Sequence, residues 1–300
     1  MTEYHIPVML QECLEGLNIK PDGIYVDLTF GGGGHSKAIL EKLSKNGLLF
    51  AFDVDPQARN NTIDDERFCL IEQNYCKITE YLNLYRIDKV DGILADLGIS
   101  SHQIDCAERG FSTRMDGYLD LRMNNTYGLT AADVVNTYDY GQLKEIFKNY
   151  GELDNAAQIA KRIGVAQPNG ICTTNELKEI LIGLAPKGKE NKFFAKVFQA
   201  LRIEVNKELE NLEKMLIQCE PIMNIEARLV VMSYHSLEDR LVKNYMKYGN
   251  CKGEIKKDFY GNISNGLRML TKKPVTANEE ELCANPRSRS AKLRIAEKNK

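Results

Sequence analysis

No stretch of the 300-residue chain approaches the apolar length of a membrane span, about 20 residues, so none is expected. No Cys-x-x-Cys pair occurs either. The eight cysteines (13, 69, 76, 106, 172, 219, 251 and 283) stand singly and the four histidines are dispersed, which argues against a structural zinc site or any other metal. A disulfide framework is not indicated, and the thiols are expected to be reduced and mostly buried as small apolar groups. The opening residues, Met1 to His5, lack the basic start and apolar run of a signal peptide, so a cytoplasmic protein is expected. Internal repeats and low-complexity segments are missing.

What is present is ordinary for a globular protein: 43% hydrophobic and 27% charged residues. The length suits one enlarged α/β domain or a core domain with an insertion. Net charge is −2, but residues 241–300 hold 14 Lys/Arg against 6 Asp/Glu, a net +8 that leaves −10 for the rest. A smaller basic stretch runs from Lys187 to Lys196. Such asymmetry fits a surface facing a polyanion, and equally a solvated basic tail. Charge alone does not choose.

The hydrophobic pattern alternates between short runs and helical spacing. Gly23 to Phe30 reads as a strand followed at once by four glycines, and Ser36 to Lys45 as a helix with Ile39, Leu40 and Leu43 on one face. Leu48 to Val54, Phe68 to Ile71 and Val90 to Leu97 read as further strands, with Pro56 opening a helix between the first two. Strands alternating with helices imply a parallel, doubly wound, Rossmann-like sheet with its ligand site at the carboxyl ends of the strands. After residue 104 the pattern turns helical. Thr130 with Asp133 and Thr173 with Glu176 resemble capping boxes, and Phe194 to Leu216 carries a sustained helical stripe. Ala227 to Met232 and Ala291 to Ala296 return to strand character. The expectation is an α/β domain, residues 1–104 and 216–300, interrupted by a helical insertion at 105–215.

A strand-to-helix turn that brings backbone close to a ligand needs residues without Cβ. An acid some 20 residues on, at the next strand's end, can accept from ribose hydroxyls. Asp53 lies 20 residues after Gly33 in that position, a spacing that serves any adenosine-containing cofactor. The dinucleotide pattern Gly-x-Gly-x-x-Gly fails at Ser36 counted from Gly31 and at Lys37 counted from Gly32, and no Gly-Lys-Ser/Thr follows. S-adenosylmethionine, whose sites tolerate looser glycine patterns, remains. At the fourth strand's end Asp96 can contact the cofactor or an exocyclic amine, or serve as a helix cap. The run Gly98 to Gln103 is small and polar but is not the Asp/Ser-Pro-Pro-Tyr/Phe motif of many amino-methyltransferases.

Eight blocks, in order and with matching spacing, carry a resemblance. They are Ile24–Ser36 (IYVDLTFGGGGHS), Phe52–Gln57 (FDVDPQ), Asp91–Gln103 (DGILADLGISSHQ) and Glu108–Ser112 (ERGFS). Met115–Met123 (MDGYLDLRM), Phe198–Asn206 (FQALRIEVN), Ser233–Arg240 (SYHSLEDR) and Asn285–Glu297 (NPRSRSAKLRIAE) complete them. The chain resembles the RsmH (MraW) family of bacterial small-subunit rRNA methyltransferases.

The resemblance implies a class I methyltransferase fold and methylation of cytosine N4 in the decoding centre of 16S rRNA, within the small ribosomal subunit. It implies S-adenosylmethionine as cofactor, held by Gly33, Gly34, His35, Asp53, Tyr75, Asp96 and Gln103. It also implies that the insertion helps bind substrate. Asp96 is the candidate catalytic acceptor. Ser233 and His235 are candidates for the substrate pocket, against a structural reading in which Ser236, Glu238 and Asp239 cap a helix. Arg287, Arg289, Lys292 and Arg294 are candidates for RNA phosphates, which a target base extruded from its stack would require nearby. Monomer and homodimer both remain open. So do a different nucleic-acid amino-methyltransferase and an RNA-binding protein without turnover. The chain departs from the family where it carries His102, Tyr118, Asn155-Ala156-Ala157 and Phe193 to Phe198, mostly in or near the insertion.

Overall fold

The computed structural model describes residues 7–255 and 265–299. Met1 to His5, read above for targeting signals, and part of the basic carboxyl-terminal stretch lie outside them. The chain divides into two compact units, Met1–Gly98 with Leu209–Lys300, and Ile99–Glu208. Its two crossings fall at backbone of positive φ: Gly98 (φ 103°) and, next to Glu208, Lys207 (φ 51°).

The first unit holds a seven-stranded sheet: β1 (Ile24–Asp27), β2 (Leu48–Phe52), β3 (Phe68–Ile71), β4 (Val90–Asp96), β5 (Met223–Ser233), β6 (Leu267–Met269) and β7 (Lys292–Lys298). The strand order is β3-β2-β1-β4-β5-β7-β6, parallel from β3 to β5, with β7 and β6 antiparallel. Order reverses between β1 and β4, the place where a doubly wound sheet opens a crevice at its carboxyl edge. Successive side chains face opposite sides, so each apolar strand feeds two cores. Val26, Leu28, Ile93, Ala95, Leu229 and Val231 pack on one face, and Tyr25, Leu94, Val230 and Met232 on the other.

Among the described residues this unit has six α-helices: α1 (Leu10–Leu17), α2 (Gly34–Leu40), α3 (Ile78–Leu84), α10 (Glu208–Ile222), α11 (Ser236–Tyr248) and α12 (Glu279–Ala284). α1 gives Cys13, Leu14 and Leu17 to the second face, while α10 gives Leu212, Met215, Leu216 and Cys219 to the first. The helix expected at Ser36–Lys45 starts earlier and stops at Leu40, because Gly33 (φ 76°) caps its start and the chain turns at Glu41.

The second unit is helical: α4 (Ser101–Asp105), α5 (Ala131–Thr137), α6 (Tyr140–Asn149), α7 (Ala156–Ala166), α8 (Thr174–Leu181) and α9 (Glu190–Asn206). Among the described residues it has no strand, and its core is its own, centred on Phe147, Ile159, Ile163, Val197 and Leu201. The capping boxes at Thr130/Asp133 and Thr173/Glu176 open α5 and α8. The stripe read as one helix from Phe194 to Leu216 is two. Lys207 adopts a left-handed conformation that ends α9, and α10 starts at the next residue. Apolar spacing continues across a single such residue, so the pattern hides the break.

The cysteines are free, as expected, but only Cys13, Cys219 and Cys251 are buried; Cys172 and Cys283 are exposed. Among the described residues no helix is long and apolar enough to cross a membrane.

Candidate active site

The carboxyl ends of β1, β2 and β4 meet at one edge of the sheet. β1 ends on Asp27, which is 1% exposed. Its carboxylate accepts hydrogen bonds from the Ser36 hydroxyl (2.7 Å) and the Thr29 N–H (3.0 Å). A bond to an ionised group contributes about 1.5–3 kcal/mol, against a heavier cost for an unpaired buried charge. Burial pushes the Asp27 carboxyl up, and His35, then Ser36 and Thr29, pull the other way.

After Asp27 the chain turns through Thr29, Phe30 and the glycines. The Phe30 N–H donates to the Phe52 carbonyl (2.9 Å), which ties the loop to β2. Gly31 (φ 51°) and Gly33 (φ 76°) have left-handed backbone. A Cβ on Gly33 would stand 2.9 Å from the Phe30 ring, and one on Gly34 only 2.2 Å from Pro7. Gly32 is exposed and a Cβ there would meet nothing within 4 Å. The run is therefore required for two different reasons, turn geometry at Gly33 and packing at Gly34.

Asp53 follows β2 directly. Its two oxygens accept from the Gly31 N–H (2.7 Å) and the Asp55 N–H (2.8 Å), so the acid braces the loop. Burial pushes its carboxyl up to about 6 despite those two bonds. A carboxylate has about four acceptor positions, which leaves capacity for hydroxyl donors.

His35, in the first turn of α2, is 6% exposed. Its Nε2 donates to the Val8 carbonyl (3.2 Å). That carbonyl only accepts, so Nε2 carries a proton, and the other ring nitrogen, Nδ1, faces Asp96 Oδ2 at 4.0 Å.

Asp96 is the last residue of β4, with its side chain 23% exposed. Its N–H donates to the Thr29 hydroxyl (2.6 Å), and its Oδ1 accepts from the Tyr234 hydroxyl (2.8 Å). Burial pushes this carboxyl up to about 6; His35 and Tyr234 lower it, while Asp27 and Glu238 raise it. The alternative expectation of a cap does not hold: α4 is capped by the Ser100 hydroxyl, in a capping box with Gln103.

Of the residues expected at the cofactor, Gly33, Gly34, His35, Asp53 and Asp96 are brought together. Tyr75 opens the turn after β3 and packs half-buried against the first core. Gln103 is buried in the helical unit, where its side chain accepts from the Ser100 N–H (3.1 Å). The substrate candidates are placed differently. Ser233 is 1% exposed and its hydroxyl donates to the Lys292 carbonyl (3.4 Å), towards β7. His235 is the N-cap of α11 in a box with Glu238, so the cap is neither Ser236 nor Asp239. Arg287 and Arg289 are exposed in the turn Pro286–Ser290. Arg294 is 4% exposed and makes two bonds to Asp239 (2.6 and 3.2 Å), and Lys292 lies 3.6 Å from the same carboxylate. Arg294 is thus a structural cation, corrected from the phosphate-facing group expected of it.

Sequence reasoning missed Asp27, Thr29 and Tyr234. An acid inside the apolar run of β1 is an available signal for Asp27. Nothing local marks Tyr234, which reaches Asp96 across 138 residues of chain.

The chain matches the family model described as the MraW methylase family over residues 2–299. It is 52% identical to a Flavobacterium johnsoniae protein named "Ribosomal RNA small subunit methyltransferase H", covering 99% of this chain and 98% of that one. Proteins of the same name from Bacteroides thetaiotaomicron (51%) and Phocaeicola vulgatus (50%) each cover 98% of this chain, which spans 97% of either of them. Half of the residues are shared along nearly the whole length, and the chain belongs to the MraW methylase family.

Proposed function

We propose that this protein transfers the methyl group of S-adenosylmethionine to N4 of a cytosine in the decoding centre of 16S rRNA, on the small ribosomal subunit in the cytoplasm. The observation that carries the reading is the convergence of the glycine turn, Asp53, His35 and Asp96, in a chain half identical to proteins bearing that methyltransferase name.

The donor set fits the cofactor. Acceptor capacity at Asp53 suits ribose hydroxyls, and the Asp96 carboxylate, whose Oδ1 is the oxygen taken by Tyr234, suits a nitrogen that carries protons. Bound S-adenosylmethionine supplies an electrophilic sulfonium methyl that leaves its electron pair on sulfur. The chain's own task lies with the acceptor. The N4 lone pair of cytosine is delocalised into the ring, and an acceptor on its N–H favours the more pyramidal, nucleophilic nitrogen. The Asp96 carboxylate is that acceptor in this reading, and alignment of the reactants contributes much of the remainder. The helical unit, Ile99–Glu208, is assigned to substrate recognition, and exposed Arg287 and Arg289 to backbone phosphates.

The test is incubation of small subunits from a strain lacking this gene with enzyme and labelled cofactor, followed by mapping of the modified nucleotide. Label at cytosine N4 is expected. Asp96→Asn should transfer at least 100-fold more slowly, the scale of losing one preorganised polar contact. Transfer at the wild-type rate by that variant, or label on another atom, would overturn the assignment.

A further inference from the structure

Tyr234 follows the last residue of β5 and has so far been given its bond to Asp96 but no role. Its place is fixed from two sides. Its N–H donates to Glu238 Oε2 (2.9 Å), so the capping box of α11 anchors the backbone, while the ring lies beside Gly98. From there the hydroxyl reaches Asp96 Oδ1 at 2.8 Å. Oδ2 points the other way, 4.0 Å from His35 Nδ1.

We propose that Tyr234 is the positioning residue of this site: by donating to Oδ1 it holds the Asp96 carboxylate in one rotamer, leaving Oδ2 to accept from the ligand nitrogen. This rests on the reading of Asp96 as the acceptor. Asp96 faces His35 from α2, Asp27 from β1, Glu238 from α11 and Cys13 from α1; Tyr234 faces Asp96, Cys13 and Glu238. Burial and the charge of Asp96 hold the Tyr234 phenol far above its usual range, so it stays a donor at any working pH. Without that donor the carboxylate would have two acidic neighbours raising its pKa and only His35 opposing them. It would take up a proton more readily and would be free to rotate.

The consequence is a pH signature. With the Asp96 carboxyl pushed up to about 6 in the wild type, the acid limb of kcat/KM for methyl transfer should lie near that value. Tyr234→Phe removes only the hydroxyl, and should move the limb up by about one pH unit. Transfer then falls about three-fold at pH 6.5 and recovers above about pH 8.5. A purely structural role for Tyr234 predicts a loss that is the same at every pH, and that result, or an unmoved limb, overturns the proposal. A second measurement does not depend on turnover. In protein labelled with carbon-13 at aspartate Cγ, the resonance absent from Asp96→Asn should titrate at higher pH in Tyr234→Phe than in wild type. An unchanged titration overturns the proposal as well. If Asp96→Asn transfers at the wild-type rate, the functional reading fails, and the carbon-13 titration still decides whether Tyr234 governs Asp96.

Discussion

A carboxylate partly buried at the end of β4 is disfavoured in its charged form, and the opposing effects of His35 and Tyr234 only partly offset that. The folded-state value of about 6 lies above the ordinary aspartate value of about 3.9 expected in the unfolded chain. The native state therefore holds the proton more tightly. This group's contribution is favourable at pH below about 4 and is lost as pH rises through about 6. Asp96→Asn keeps the shape and removes the charge, so above pH 7 it should be more stable than wild type by about 1–3 kcal/mol. That advantage should vanish near pH 4. Urea unfolding of both proteins at pH 4.5 and pH 8 checks this, and equal gaps at the two values would contradict it. Asp27 and Asp53 are pushed in the same direction by burial, so this edge of the sheet concentrates destabilising charge in the free protein. Binding sites commonly carry such a cost, since the same acceptors must meet a ligand.

Among the elements, the glycine turn and the α9–α10 break illustrate what backbone conformation decides. Gly33→Ala places a side chain at φ 76°, beside the Phe30 ring, and should lose about 1–2 kcal/mol. Gly32→Ala meets no neighbour and has no positive φ, so it should stay within about 0.5 kcal/mol. Denaturation midpoints of the two variants separate turn geometry from mere smallness. At Lys207 the strain runs the other way. A lysine at φ 51° is disfavoured relative to glycine, and its ammonium pairs at 2.5 Å with Glu204, whose side chain is 11% exposed. Lys207→Gly should therefore raise stability by about 0.5–1 kcal/mol, the backbone gain of about 1–2 kcal/mol less the lost ion pair. A fall in the urea midpoint would show that the ion pair outweighs the backbone term. Strands were legible here because short apolar runs bounded by charged residues and glycines have few other readings: β3 was expected at the residues where it lies, and β1 and β4 within three. Short helices such as α1 and α12 were not expected, since eight and six residues carry little periodicity.

Across the whole molecule, charge is divided along the sequence, with net +8 in residues 241–300 and −10 before them. Folding redistributes that information. Arg294 and Lys292 are drawn to Asp239, and Arg268 to Glu297 (2.5 Å), while Arg287 and Arg289 stay at the surface. If those two meet rRNA phosphates, Arg287→Ala with Arg289→Ala should lower the slope of log affinity against log salt by about 1.4–1.8, that is 0.7–0.9 per contact. Affinity for small subunits measured from 50 to 200 mM salt reads this directly, and an unchanged slope removes both residues from the interface.

By itself the sequence determined the alternation of strands and helices, the glycine turn with its acid 20 residues on, and the family, because these depend on local pattern and spacing. Only the tertiary structure decided which charged groups are spent inside the fold and which meet at the site. Asp27 and Tyr234 join Asp96, and Arg294 leaves the list of RNA contacts, through pairings between residues 55 to 138 positions apart, or across neighbouring parallel strands. Such pairings are set by strand order and burial, and no local pattern along the chain encodes them.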